Sequence, residues 1–169
     1  GEDPLRLISD VEADLGIGCY PMTWPVFRDG GFVGVYDRQR KDVLLFARNE
    51  NHPARRVETR RVHIDAPGIE DLLGDENLRH LLESVSLLDA AGHEFSVEAL
   101  LAGELTPVYF GSALSNFGVE PFLEEFLQLA PAPTERASSA GPVSPPSPDL
   151  TAFVFKIQAN MDPRHRDRI

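Results

Sequence analysis

The stretch best suited to meet a ligand is Leu105-Thr106-Pro107-Val108-Tyr109-Phe110-Gly111-Ser112-Ala113-Leu114-Ser115-Asn116. Its first six residues read as a strand buried on both faces in a parallel sheet, where apolar runs are near-continuous. The small residues that follow let backbone N–H groups approach a ligand closely. From Phe117 to Leu129, the spacing of Leu123, Phe126 and Leu127 predicts a helix. Strand, small-residue loop and helix are the parts of an α/β unit. Ligands in such sheets bind beyond the carboxyl ends of the strands, so Gly111–Asn116 is the first place to look. A tight strand-to-helix turn needs the same residue types, and spacing alone leaves both uses open.

Other groupings read as structure rather than chemistry. Asp65-Ala66-Pro67-Gly68 has the pattern of a magnesium-organising aspartate loop, but no Gly-x-x-x-x-Gly-Lys-Ser/Thr occurs in the chain to hold the phosphates, and the four residues are expected to form a turn. Cys19 is the one cysteine; no motif points to a partner base, so it is expected to be a small apolar filler. A thiol enzyme using Cys19 is the least supported reading. His52, His63, His80, His93 and His165 show no metal-ligand spacing, and no metal site is expected. Asp75, Glu76 and Glu83 read as a helix cap and a solvated helix face. Arg55, Arg56, Arg60 and Arg61 could meet phosphate, though a solvated strand edge protected by charge is the commoner use of such a cluster. Arg164, Arg166 and Arg168 alternate, so on a strand they would share one face; such a row suits an RNA backbone and is also ordinary surface. No catalytic residue is assigned.

The elements that position the loop follow from periodicity. Asp3 and Pro4 open a helix in which Leu5, Ile8, Val11 and Leu15 recur at helical spacing, and Gly16 stops it. Strands are expected around Ile17–Met22, Gly31–Tyr36 and Val43–Ala47, with a weaker one over Val57–Ile64. The turns Arg28–Gly31 and Arg38–Lys41 separate the first three. Asp75 is expected to cap a helix with Leu78, Leu81, Leu82, Val85 and Leu88 on its apolar stripe, and a shorter helix follows at Val97–Leu101.

With 169 residues, 42% hydrophobic and 25% charged, the chain is long enough for a real core. It has no apolar run of membrane-spanning length and no export signal at Gly1–Pro4, which with a single cysteine points to the cytoplasm. A net charge of −11 argues against non-specific nucleic-acid binding by the chain as a whole. The last twenty residues depart from this, with four basic and two acidic side chains. Pro131–Asp149 has six prolines, four serines and one glycine, the composition of an extended linker. Beyond it, Phe153, Phe155 and Ile157 alternate as in a half-buried strand, and the chain stops without a partner for it, as a truncated domain would.

Taken together, Phe153-Val154-Phe155-Lys156-Ile157-Gln158-Ala159-Asn160-Met161-Asp162-Pro163-Arg164-His165-Arg166-Asp167-Arg168, the run from Leu105 to Val119, and Ala130-Pro131-Ala132-Pro133 resemble the bacterial peptide chain release factor 3 family, translational GTPases related to elongation factor G. Thr23-Trp24-Pro25 and Gly34-Val35-Tyr36-Asp37 match the insertion carried by such factors. The resemblance runs from about Asp3 to Ile169. The family's P-loop, switch regions, Asp-x-Pro-Gly and Asn-Lys-x-Asp motifs are absent. Asp65–Gly68 lies in the wrong order, so nothing carries over to it.

The resemblance implies an α/β fold: residues 1–130 as the C-terminal part of a P-loop GTPase domain with a mixed α+β insertion at about 17–104, residues 131–149 as linker, and 150–169 as the start of a β-barrel domain. It implies that the backbone amide of Ala113 faces the guanine oxygen, with Ser112 and Leu114 shaping that edge. It further implies a parent protein that uses GTP/GDP and Mg²⁺, acts on the ribosome, releases class-I release factors there, and needs no membrane. Arg164, Arg166 and Arg168 would face ribosomal RNA. Lacking the phosphate loop, this chain alone is expected neither to bind nucleotide tightly nor to hydrolyse GTP. The rival reading is a non-enzymatic acidic protein-interaction module.

Overall fold

The computed structural model describes residues 3–47, 57–146, 148, 150–152 and 154–157. The chain divides into two units, Gly1–Ala130 and Pro131–Ile169. In the first, helix α1 (Pro4–Leu15) starts where expected: the Asp3 carboxylate accepts the Leu5 N–H at 3.1 Å, and Gly16 closes the helix with φ of 68°. Ile8 is the buried residue of α1.

Strand β1 (Gly18–Pro21) runs parallel to β6 (Leu105–Val108), with Cys19 opposite Thr106. Sequence between these two neighbours forms a separate antiparallel sheet of β2 (Thr23–Arg28), β3 (Gly31–Asp37), β4 (Asp42–Ala47) and β5 (Glu58–His63), in the order β2-β3-β4-β5. The expected first strand, Ile17–Met22, is β1, and a second strand that was not expected, β2, follows it in the other sheet. Pro25 disguised the second, since proline cannot complete a ladder on both sides. It is tolerated because β2 is an edge strand, hydrogen-bonded among the described residues to β3 alone.

Residues alternate across this inserted sheet, so its two faces have different partners. Trp24, Tyr36 and Val43 face one way, packing in a cluster with Ile69, Leu73, Leu78, Leu81 and Leu88. These last belong to α2 (Ile69–Leu73) and α3 (Asp75–Ala91). Val35, Leu44 and Phe46 face the other way, against Phe117. Trp24 and Tyr36, from the two short insertion matches, are cross-strand partners in the core.

Three expectations require correction. Gly74, with φ of 84°, occupies the cap position before α3, and Asp75 is the first helical residue; its carboxylate favours the helix N-terminus by charge instead of capping it. Leu82 of the predicted stripe is 46% exposed, lying off the buried line of Leu78, Leu81 and Leu88. Strand β6 is not buried on both faces: only Leu105 is fully buried, because among the described residues β1 is its sole neighbour. Asp65–Gly68 is a turn, as expected, leading from β5 into α2.

Helix α4 (Val97–Ala102) is capped by Ser96, whose hydroxyl accepts the Ala99 N–H. Helix α5 (Val119–Leu129) completes the unit, with Leu123, Phe126 and Leu127 exposed. In the second unit a short hairpin, β7 (Arg136–Ser138) and β8 (Gly141–Val143), interrupts the proline-rich segment. Its Ser138 hydroxyl donates to the Gly141 carbonyl at 2.6 Å. The strand expected over Thr151–Ala159 is not formed by the described residues 151, 152 and 154–157, which are exposed; a lone strand has no neighbour to satisfy its backbone groups. Phe153, Gln158 and Ala159 lie outside the described residues.

Candidate functional site

The loop after β6 is a narrow hairpin. Ser112 and Phe117 exchange two backbone hydrogen bonds, of 2.9 and 3.1 Å. Two glycines permit its closeness. A Cβ on Gly111 would lie 2.8 Å from the Phe117 carbonyl oxygen, and one on Gly118, which has φ of 77°, would lie 2.9 Å from that of Phe110. No other residue type fits both stems without backbone movement.

At the tip, Ala113 and Leu114 are exposed, Leu114 almost wholly at 98%. The Ser112 N–H is engaged by Phe117, whereas those of Ala113 and Leu114 make no backbone hydrogen bond among the described residues. The loop therefore presents free backbone donors beyond the carboxyl end of a parallel strand, the place and chemistry that suit a carbonyl-like acceptor on a ligand. It borders an open cleft lined by Val11, Leu15, residues 106–113, Phe117–Val119 and Phe122.

The stems are held from the inserted sheet. The Phe117 ring packs against Phe46 with centroids 5.2 Å apart and against Phe32 at 6.4 Å. On the other stem, the Phe110 N–H donates to the Thr23 hydroxyl at 3.0 Å and its ring meets Trp24 edge-on. Helix α5 is tied to the same sheet by charge. Arg40 bridges Asp37, at 2.8 Å, and Glu125, and both carboxylates are buried. Asp37 also accepts the N–H groups of Gln39 and Arg40. Hydrogen bonds to Asp37 and Glu125 hold the Arg40 guanidinium charged. Burial, then the nearby Glu125 carboxylate, pushes the Tyr109 hydroxyl far above its ordinary range.

Sequence reasoning found the loop but not these supports. Phe117 was visible only as the start of a helix. Glu125 carries no signal of its own in the sequence, because its partner Arg40 is 85 positions away. Asp37 lay within a matched motif that carried no role.

The remaining candidates separate clearly. Arg60 and Arg61 sit on the exposed edge strand β5, Arg61 pairing with Asp42 at 3.1 Å, in keeping with a charged strand edge. Arg55, Arg56, His52, His165, Arg164, Arg166 and Arg168 lie outside the described residues. Among the described residues no group of three His, Cys, Asp or Glu could hold a metal ion. No helix among them is long and apolar enough to cross a membrane.

Cys19 is 2% exposed and packs in the larger core cluster; burial and then Glu12 push its thiol above the ordinary 9.0. A raised folded-state value means the thiol's contribution to stability is complete below about pH 9 and is lost as pH rises through the folded value. Cys19 is expected to react with a thiol reagent at pH 8 only at the rate of unfolding. Labelling as fast as that of a free thiol in native buffer would contradict this.

The fold is mixed α/β, with a parallel pair that presents a strand–loop–helix unit and an antiparallel insertion between its strands. No family model matches the chain. Over its whole length it is similar to peptide chain release factor 3: it is 45% identical to that of Synechococcus elongatus and 46% to that of Symbiobacterium thermophilum, each over 169 residues. The Synechocystis protein of the same name is 42% identical over 166 residues, 98% of the chain. The chain spans only about a third of these relatives' length, 30%, 32% and 30% respectively. In structure it is similar to a crystal structure from Thermus thermophilus, with a TM-score of 0.50 at 24% identity, covering 79% of this chain and 21% of that one.

Proposed function

We propose that this chain is the guanine-side portion of a cytoplasmic translational GTPase that acts in translation termination, promoting GTP-dependent dissociation of class-I release factors from the ribosome. The observation that carries this reading is the exposed loop tip beyond the carboxyl end of parallel β6, where the Ala113 and Leu114 amides make no backbone hydrogen bond among the described residues, in a chain similar throughout to release factor 3. On this reading residues 1–130 are the C-terminal part of a P-loop GTPase domain, 131–149 a linker and 150–169 the start of a β-barrel domain. The exposed apolar residues of α5 and the half-buried β6 support it, since a wider sheet would cover them.

Within the site, the Ala113 amide donates to the guanine oxygen, and Ser112 and Leu114 border the base. Small residues and a free N–H fit that task. Phosphates and Mg²⁺ are another matter: the chain has no P-loop, and its residues hold neither. Phosphoryl transfer depends on positioning and charge stabilisation by those parts. The hydrolytic step therefore belongs to the remainder of a protein of the relatives' length.

Titration of a fluorescent GDP analogue into this chain and into the longer protein tests the reading. Binding by the longer protein alone is expected. Binding by neither would transfer support to an acidic interaction module. Magnesium-dependent GTP turnover by this chain alone would show that the phosphate loop is dispensable. For Arg164, Arg166 and Arg168 we propose contact with ribosomal RNA. Replacing all three in the longer protein is expected to reduce the salt-dependence slope of ribosome binding by up to about three. An unchanged slope would remove that contact.

A further inference from the structure

We propose that Phe46 and Phe32 of the inserted sheet are positioning residues for the Ser112–Leu114 loop, so that recognition of the base depends on the insertion. This rests on the reading of the loop as guanine-facing. Beyond its own Ser112–Phe117 bridge, the hairpin is anchored through its stems. Phe117 is 5% exposed, in a cluster whose other buried members are Val35, Leu44 and Phe46 of the insertion. Phe110 is held by Thr23 and Trp24 of β2. Ala113 and Leu114 are separated from Phe117 by only Ser115 and Asn116, and Asn116 has φ of 57°, so the tip has little independent freedom. A backbone amide must be held within about 0.5 Å to recognise one acceptor atom. Within the strand–loop–helix unit the Ser112–Phe117 bridge and the Tyr109–Phe122 ring contact join the stems, and the aromatic packing from the insertion adds the constraint that fixes Phe117.

The geometry separates two faces of the inserted sheet. Phe46 and Phe32 lie on the face toward the loop, while Leu88 of α3 packs with the cluster on the other. Loss of a Phe46 ring should loosen the tip; loss of Leu88 should only destabilise the fold.

The test uses the longer protein with two nucleotides, GDP and 2-aminopurine riboside 5′-diphosphate, which lacks the 6-oxygen. Phe46→Ala is expected to weaken GDP binding about tenfold, the scale of one hydrogen bond to a desolvated acceptor, with little change for the analogue. Leu88→Ala is expected to lower the melting temperature and leave the preference for GDP unchanged. Should Phe46→Ala fail to fold, Phe46→Leu, which keeps apolar volume without the ring, decides the matter through the same ratio. A wild-type protein that binds both nucleotides equally overturns the reading of the loop. A wild type that discriminates, with the Phe46 variant discriminating equally well, overturns the support role alone. An equal loss of discrimination in Leu88→Ala also overturns it, since the effect would then follow stability.

Discussion

Arg40→Met is expected to destabilise the Gly1–Ala130 unit by about 3 kcal/mol at pH 7, the lower end of what breaking a buried ion pair costs. The guanidinium itself is 42% exposed, so its own attraction is screened and little of the loss comes from there. The loss comes from what it leaves behind. Asp37 and Glu125 side chains are only 5% and 11% exposed, and without Arg40 they are two like charges with no cation between them. Asp37 keeps the N–H groups of Gln39 and residue 40, whereas Glu125 loses its hydrogen bond, and its second oxygen already has no partner among the described residues. Urea melts of both proteins at pH 7 measure this. A deficit below about 1 kcal/mol, the range of an exposed pair, would mean that the bridge is a surface contact.

Phe117→Ala is expected to cost about 3–4 kcal/mol, as truncation of a buried phenylalanine usually does. The ring packs against Phe46 and Phe32, in a cluster that Phe110 also joins. Stability is only part of the expected result. Ser112 and Phe117 donate to each other across the base of the hairpin, so their amides report local opening directly. Hydrogen exchange at both should accelerate beyond what the global loss explains, while the paired amides of β3 and β4 follow the global value. Equal acceleration everywhere would mean that the hairpin hydrogen bonds hold the loop unaided.

Much of this was legible in sequence because local physics decides it. Asp3, Pro4 and Gly16 delimit α1 through capping and a left-handed closing residue, with no help from elsewhere. Gly111 and its small neighbours marked the loop, and Leu78, Leu81 and Leu88 marked the buried line of α3. The composition of Pro131–Asp149 marked a break, although its short hairpin was not foreseen, since Ser138 and Gly141 act through a turn too small to leave a periodic signal.

Tertiary structure alone decided the rest. Whether Pro25 could lie in a strand depended on β2 being at an edge, which no window of residues encodes. Ile17–Met22 and the residues after it read as one strand and a turn, because pairing partners, here β6 and β3, are chosen by distant sequence. Glu125 has the residue type of a solvated helix face and becomes buried only because Arg40 and Asp37 arrive from 85 and 88 positions earlier. Phe117 sits in the sequence beside the loop it anchors, yet its role exists only where the inserted sheet brings Phe46 and Phe32 against it. Sequence by itself determined which residues could present a backbone to a ligand; the long-range packing, whose loop-closure cost no local pattern records, determined what holds that backbone still.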